Sequence, residues 1–316
     1  MKLCPTPSRS VSSKGEETQT KRHSRDLRIG GQAVIEGVMM RGRANWSLAV
    51  RKPDGEIHVS AEPLSSFLVR HPGWDKPFLR GLFLLGESLA LGWRALTQSA
   101  DIALSEEGEG KGLGWLQQAL TLVFSLALAV GLFILLPTWL APLILGEGSP
   151  VWLWNLVEGA LRVALFLAYL ALVSLSREMR RVFQYHGAEH QCIHLWEHDY
   201  PLEPQWALRE GTEHARCGTA FILLVLVLTV IVYSFLGRPA VWLRVLERVA
   251  LIPVIAGVSY EIMKYADTSS SPWVKSLLIP GMWLQRLTTG RPGKDQVEVA
   301  LAALKALLER EDPRHG

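Results

Sequence analysis

Two long stretches without a charged side chain limit what this chain can fold into. Residues 112–146 form a run of 35 without Asp, Glu, Lys or Arg, and residues 217–237 form another of 21. The hydrocarbon core of a bilayer takes about 20 residues of helix, so an ordinary soluble globular protein is excluded. Disorder is excluded as well, because the apolar surface available for burial is ample. Since hydrophobic residues make up only 49% of the chain, the apolar excess is local and we expect sizeable water-facing parts.

The uncharged stretches and two further apolar segments predict four membrane-spanning helices. The expected fold is therefore a mainly α-helical, polytopic membrane protein, with one transmembrane hairpin over residues 115–176 and a second over 218–266. The fourth helix is the weakest of the four, because a full span to residue 264 must include Glu261. The predicted spans are 115–136, which Pro137 and Pro142 stop or kink, 151–176, 218–236 and 249–264.

The distribution of lysine and arginine predicts the orientation of these spans. Sixteen of these residues lie in 1–111, none in 137–150, five in 177–216, three in 237–248 and eight in 264–316. Loops on the cytoplasmic side carry the excess of Lys and Arg. We therefore expect both termini to be cytoplasmic, in agreement with an even number of spans.

The segments outside the spans predict different structures. Residues 1–28 are polar and basic without an apolar core region, so they are interpreted as a disordered cytoplasmic tail and not a signal peptide. Residues 46–60 are typical of a β-hairpin that turns at Pro53-Asp54-Gly55. The basic residues are scattered, so no nucleic-acid partner is expected. The remaining predictions are a cytoplasmic β-rich module over 29–76 with a β-prone stretch at 32–40, an amphipathic helix and linker over 77–114, and an interfacial segment with a C-terminal amphipathic helix over 267–316.

A histidine cluster lies in the predicted cytoplasmic segment 177–217. His186-Gly-Ala-Glu189-His190 is an H-x-x-E-H motif, and its first, fourth and fifth residues share one face of a helix. Two imidazoles can then bind one Zn²⁺, while Glu189 acts as general base on a water molecule. The alternative is that these side chains are simply the polar face of a cytoplasmic helix, which the spacing also fits.

A zinc site of this kind needs a third protein ligand. His214 and Cys217 precede the third span and face the same compartment. Glu261, at the cytoplasmic end of the fourth span, is the other candidate, because an ionisable residue there is a functional hypothesis by default. Structural alternatives remain: Cys217 as a plain buried thiol, and Glu261 as an interfacial carboxylate paired with Lys264.

Two weaker pairs of charged residues also stand out. Glu36 and Arg41 lie in a Gly-rich β segment and either line a site or merely pair. Glu158 and Arg162 are four residues apart in the second predicted span, so they can pair on one helix face. They are interpreted as structural, with a proton or ion path as the alternative.

Several long motifs resemble those of the bacterial YqhQ family. They occupy residues 30–42, 185–190, 214–221, 259–261 and 280–289, and the resemblance runs from about residue 28 to 308. Gln191 stands where the family pattern has Lys, and Ala215 where it has Pro, but neither change removes a candidate ligand. The motif does not include His194 or His198, so they are not taken as ligands. The family is one of unknown function, and its members are described as predicted metal-dependent membrane proteins.

The resemblance implies a multi-pass protein of the bacterial inner membrane with a divalent-metal site, and it supplies no reaction. The residues predict a zinc-dependent hydrolase, peptidase-like or acting on a lipid-linked molecule, at the cytoplasmic face. The bilayer and membrane proteins or peptides are the expected partners. One alternative is a non-catalytic scaffold, chaperone or insertion factor with a structural metal site, and a transporter is another.

Overall fold

A computed structural model describes residues 29–104, 114–146, 148–237, 239–269 and 271–311. The predicted tail over residues 1–28 and most of the predicted linker lie outside the described residues. The chain is mainly helical with a small N-terminal antiparallel sheet, as predicted. The strands are β1 (Gly30–Val34), β2 (Gly37–Arg41), β3 (Asn45–Arg51) and β4 (Ile57–Pro63), and the longer helices are α1 (Leu79–Leu104), α2 (Trp115–Val130), α3 (Leu136–Ile144), α4 (Val151–Val173), α5 (Arg177–Glu197), α6 (Gly218–Ser234), α7 (Val241–Thr268), α8 (Ile279–Thr288) and α9 (Lys294–Glu311).

The sheet is a meander in the order β1-β2-β3-β4. The predicted hairpin is confirmed: β3 and β4 pair from Arg51↔Ile57 outward, and Gly55 at the turn has a φ of 90°. The β-prone stretch 32–40 lies mostly in two strands, β1 and β2, which form a second hairpin. Its turn has no glycine. Instead, Glu36 adopts a φ of 52° while its carboxylate contacts Arg181 and Tyr185.

Both faces of the sheet are covered by helices. Helix α1 packs on one face through Leu91 and Ala95. Helices α5 and α9 cover the other, and the apolar face predicted for the C-terminal helix is buried there. Ser47 Oγ donates to the carbonyl oxygen of Ala303 at 2.7 Å, and Glu311 accepts backbone N–H groups from the start of β3. The N-terminal strands and the C-terminal helix therefore share one core, although they are far apart in sequence.

Two helical stretches are long and apolar enough to cross a membrane. They are Trp115–Ile144, with a mean hydropathy of 2.7, and Val151–Val173, with 2.0. Of the two predicted effects of Pro137, a stop or a kink, a stop does not occur: the helix continues through Pro137, with a π-helical segment at Gly131–Leu135 just before it. Proline has no N–H to donate to the carbonyl oxygen four residues earlier. That carbonyl, on Phe133, accepts from Arg162 Nε at 2.7 Å instead.

The other two predicted spans do not meet the same criteria of length and composition. Helix α6 is apolar but has only 17 residues. Helix α7 has 28 residues, which include Arg244, Glu247 and Arg248 in its first half. Helix α6 nevertheless packs against both α4 and α7. The described residues thus contain two candidate spans and not four.

A buried ionic network joins the apolar helices. The predicted pair is present, with Arg162 Nη2 3.1 Å from Glu158 Oε1. The same carboxylate also contacts Arg248 of α7, which is 2% exposed, and accepts from Thr138 Oγ1 at 2.6 Å. Arg248 donates to Asn155 Oδ1 at 3.3 Å as well. The Glu158 carboxylate thus contacts two guanidinium groups, Arg162 on its own helix α4 and Arg248 on α7. Through Thr138 it also contacts α3, so the network connects the three helices.

Candidate metal centre

Helix α5 carries the H-x-x-E-H motif. Ser176 caps its N-terminus by accepting from the backbone N–H of Met179 at 3.3 Å. The motif is therefore helical, as predicted, and His186, Glu189 and His190 lie on the side of α5 that faces the protein interior. The half of the helix that carries them packs against β1 and α9.

Backbone carbonyl groups orient both histidine rings. His186 Nδ1 lies 2.8 Å from the carbonyl oxygen of Thr288, and His190 Nδ1 lies 2.5 Å from that of Thr212. A carbonyl oxygen only accepts, so each Nδ1 carries the proton and each Nε2 keeps its lone pair. Metal-binding histidines are oriented in this way by a carbonyl or carboxylate behind the ring.

Cys217 completes a group of three potential ligands. Its Sγ lies 3.2 Å from His186 Nε2, and one donor atom from each of His186, His190 and Cys217 lies within 4.8 Å of the others. Cys217 caps the N-terminus of α6, where Sγ accepts from the N–H of Thr219 at 3.4 Å. A helix N-terminus favours a negatively charged ligand atom. Two imidazoles and a thiolate are a donor set that suits Zn²⁺.

Glu189 is buried beside these three residues. The residue is 3% exposed, and its Oε2 atom has no hydrogen-bond partner among the described residues. His186 Nε2 lies 4.0 Å from Oε2. Burial raises the pKa of Glu189, and the neighbouring His186 and His214 oppose that rise. An unpaired buried carboxylate is costly, so its position next to three potential ligands suits a cation or a reacting water molecule there.

A small cavity of about 100 Å³ opens at this centre. Gly30 and Gly31 of β1 form part of its wall, and sequence reasoning did not assign them to the site. A Cβ atom at Gly31 would lie 2.7 Å from Glu189 Cγ, so only glycine lets the strand approach the carboxylate this closely. Paired glycines inside a strand are the signal that marks such an approach. The cavity is lined by Ile29, Gly30, Gly31, His186, Glu189, His190, Ile193, His214, Arg216, Cys217 and Gly218.

His214 lies beside this centre but belongs to a second group. Its Nε2 is 3.2 Å from Glu197 Oε2, and a donor atom of His194 completes a set within 4.8 Å. Glu197 also contacts Arg216. Burial lowers the pKa of both His194 and His214. His194 lies outside the family motif, yet it belongs to this second group beside the candidate metal centre.

A side-chain amide holds the backbone of His214 in place. Gln285 of α8 is fully buried and accepts from His214 N–H at 2.7 Å, while its Nε2 donates to the His214 carbonyl oxygen at 2.8 Å. The segment around Gln285 was predicted to be interfacial or re-entrant. In the structure it packs on α6, with Gly281 against Ala220, and it also supplies the Thr288 carbonyl oxygen behind His186.

The remaining predicted candidates lie outside both groups. Glu261 accepts from Arg80 Nε at 2.7 Å, so its ion-pair partner lies on α1, and Glu261 belongs to neither histidine group. Glu36 contacts Arg181, and Arg41 lies 2.9 Å from Glu87 Oε2, so both form ion pairs with helices. The structure therefore brings together His186, His190, Cys217 and Glu189, places His214 next to them, and leaves Glu261 apart.

Known proteins resemble this chain along most of its length. Residues 76–310 match the family model described as "Protein of unknown function (DUF1385)". The "Uncharacterized protein YqhQ" of Bacillus subtilis (strain 168) is 35% identical over 298 residues, which cover 89% of this chain and 92% of that protein. No solved structure matches.

Proposed function

This chain belongs to the DUF1385 family, and we propose that it is a zinc-dependent hydrolase that acts at the cytoplasmic face of the bacterial inner membrane. The observation that carries the proposal is the carboxylate of Glu189, buried and without a partner at Oε2 beside His186, His190 and Cys217. A purely structural helix face gives no reason to bury an unpaired carboxylate against two histidines.

Three protein ligands are the number found in catalytic zinc sites, where the fourth position is left to water or substrate. His186, His190 and Cys217 would hold the ion. When bound, Zn²⁺ supplies Lewis acidity, which polarises a carbonyl group and makes a water molecule more acidic. A structural site closes with a fourth protein ligand. The nearest further histidine, His214, directs Nε2 to Glu197, which favours the catalytic reading over a scaffold with a structural metal.

Glu189 is the proposed general base. Burial raises the pKa of its carboxyl group, and a base works best when its pKa is close to the working pH. The carboxylate would take a proton from the attacking water and pass it to the leaving group. Gly31 packs against this side chain and limits its movement, so the proton is held at a defined place next to the cavity.

Metal analysis tests this proposal. Purified protein should contain about one zinc ion per chain, and His190→Ala should lose it, because that substitution removes a ligand and the carbonyl-oriented ring. His198→Ala is the matched control, since His198 directly follows the same helix, is exposed and belongs to neither group. Equal zinc in the two variants, or no zinc in the unaltered protein, would exclude the zinc enzyme.

The proposed membrane arrangement has four crossings with both termini in the cytoplasm. It is supported by the two apolar helices, by the exposure of nearly every side chain of α2, and by the absence of lysine and arginine from residues 137–150. The bilayer would cover the exposed apolar side chains of α2, because a soluble monomer seldom exposes so large an apolar surface. Membrane proteins or peptides are the proposed partners.

Thiol labelling tests this orientation. Gly148 is exposed with open space where a Cβ would lie, so Gly148→Cys should be tolerated. We expect a membrane-impermeant maleimide to label this cysteine in intact cells. The unaltered protein is the control, since Cys192 and Cys217 are buried and Cys4 lies in the tail predicted to be cytoplasmic. Labelling of Gly148→Cys only after lysis would reverse the proposed orientation.

A further inference from the structure

Strand β1 has an open edge. It is the first strand of the sheet, and β2 is its strand partner among the described residues. Val34 faces Gly37 across a two-residue turn, and a pair that closes such a turn exchanges both hydrogen bonds. Hydrogen-bonded and non-hydrogen-bonded pairs alternate from there. Gly31 and Ala33 therefore fall at non-hydrogen-bonded positions, where N–H and C=O point away from β2.

The position of Ile35 supports this assignment. By the same alternation, the backbone N–H of Ile35 should point away from β2. It does, because it donates to Ser99 Oγ of α1 at 3.2 Å. Ser99 thus closes the edge at one end. No hydrogen bond joins the backbone of Gly31 or Ala33 to another segment within the described part of the chain. The edge is open over these two residues and is partly exposed there.

The open edge leads directly into the candidate metal centre. Gly30 and Gly31 line the cavity together with Glu189, His186 and Cys217. Because Gly31 has no side chain, its backbone lies against the Glu189 carboxylate. A group bound along the edge of β1 would therefore reach the reactive side chains without having to cross another element.

We propose that this edge binds a polypeptide substrate in extended conformation, as an added strand beside β1 that brings one peptide bond to the metal centre. This inference rests on the proposed hydrolase function and names its substrate class. Two outward-facing residues, Gly31 and Ala33, present donor and acceptor groups about 7 Å apart, which is the two-residue repeat of a strand. An extended peptide offers matching groups at the same repeat, whereas a lipid headgroup does not.

The chemistry is hydrolysis of an amide. A water oxygen forms a bond to the carbonyl carbon, and the C–N bond breaks. Glu189 takes a proton from that water and delivers it to the departing nitrogen, so the products are a carboxylic acid and an amine. No oxidant or reductant is needed. Recognition through backbone groups makes the site tolerant of sequence, and the side chains next to the cleaved bond must pass the narrow opening beside Gly30 and Gly31.

A substitution of Ala33 tests the strand model. Ala33→Pro removes an outward N–H but no hydrogen bond to β2, and proline is accepted on edge strands. Ala33→Ser keeps the N–H and is the matched control. Both are placed in Glu189→Gln protein, so that bound substrate is not consumed. The probe is fluorescently labelled, carboxymethylated α-lactalbumin, a permanently unfolded polypeptide, and binding is followed by fluorescence anisotropy.

We expect the Ser variant to bind as its parent does, and the Pro variant to bind about tenfold more weakly or worse, because a hydrogen bond and the close approach of the strands are lost. Hydrogen exchange provides a measurement independent of that variant: the polypeptide should slow exchange at the amides of Gly31 and Ala33. Equal binding by the two variants, absence of binding, or unchanged exchange overturns the strand model. If zinc is present in all variants, such a failure leaves the hydrolase proposal standing, whereas absence of zinc with intact binding removes the hydrolase alone.

Discussion

Replacing Glu189 by glutamine should lower the rate of hydrolysis by a factor of roughly 10² to 10⁴, while zinc stays bound. Glutamine has nearly the same shape and keeps the contact with Gly31, but it cannot accept and return a proton. The substitution also removes a carboxyl group that burial makes costly to ionise. We therefore expect the variant to be at least as stable as the unaltered protein. Cleavage of carboxymethylated α-lactalbumin and zinc content, measured on the same preparation, check both parts.

Glu178→Gln is the matched control for this experiment. Glu178 lies on the same helix but is exposed, and its carboxylate accepts from Ser176 Oγ at 2.5 Å. The Glu178→Gln variant should cleave the polypeptide at the same rate as the unaltered protein. Full activity in Glu189→Gln would remove Glu189 from the reaction. A parallel loss of zinc and activity would make Glu189 a ligand in place of a base.

Removal of Glu158 should cause the largest loss of stability. Glu158→Ala leaves Arg162 and Arg248 buried against each other with no carboxylate between them. Breaking a buried ion pair by removing one partner costs about 3–5 kcal/mol, because the remaining charge keeps its desolvation penalty. Urea unfolding in detergent, followed by helical circular dichroism, measures the change in free energy of unfolding.

A surface ion pair serves as the comparison. Glu62 lies 2.7 Å from Arg94 Nη2, and both side chains are more than a third exposed. Glu62→Ala should change the free energy of unfolding by no more than about 1 kcal/mol. If Glu158→Ala lowers the free energy of unfolding as little as Glu62→Ala does, then water reaches Arg248. The network would then not be the water-free contact between helices that the geometry indicates.

Local patterns were sufficient for the parts of the site that lie on one element. The four-residue spacing in the H-x-x-E-H motif predicted a shared helix face, and Pro53-Asp54-Gly55 predicted its hairpin, because both depend on neighbours in sequence. The choice of Cys217 as a ligand candidate also agrees with its place at the start of α6. Such signals are short-range and need no knowledge of packing.

Residues whose partners are distant in sequence could not be predicted in the same way. Glu261 pairs with Arg80, 181 residues earlier. Arg248 of α7 contacts Glu158 of α4, although α5 and α6 lie between them in sequence. Gln285 supports His214 over 71 residues. The turn at Glu36 was missed because tertiary contacts to its carboxylate, and not a glycine, hold its backbone in the left-handed region. Each of these depends on how elements pack, which a one-dimensional pattern does not contain.

The shared core of the first and last elements also sets the order in which the centre can assemble during synthesis. The sheet is complete in sequence at Pro63, yet α9, which covers one of its faces together with α5, begins only at Lys294. The apolar helices leave the ribosome between these two, as does Thr288, whose carbonyl oxygen orients His186. Until residues 288–311 have emerged, a nascent chain therefore has a sheet without α9 on one face and a His186 ring without its carbonyl partner. A copy that stops before Thr288 therefore lacks the carbonyl group that orients His186 and has no complete centre.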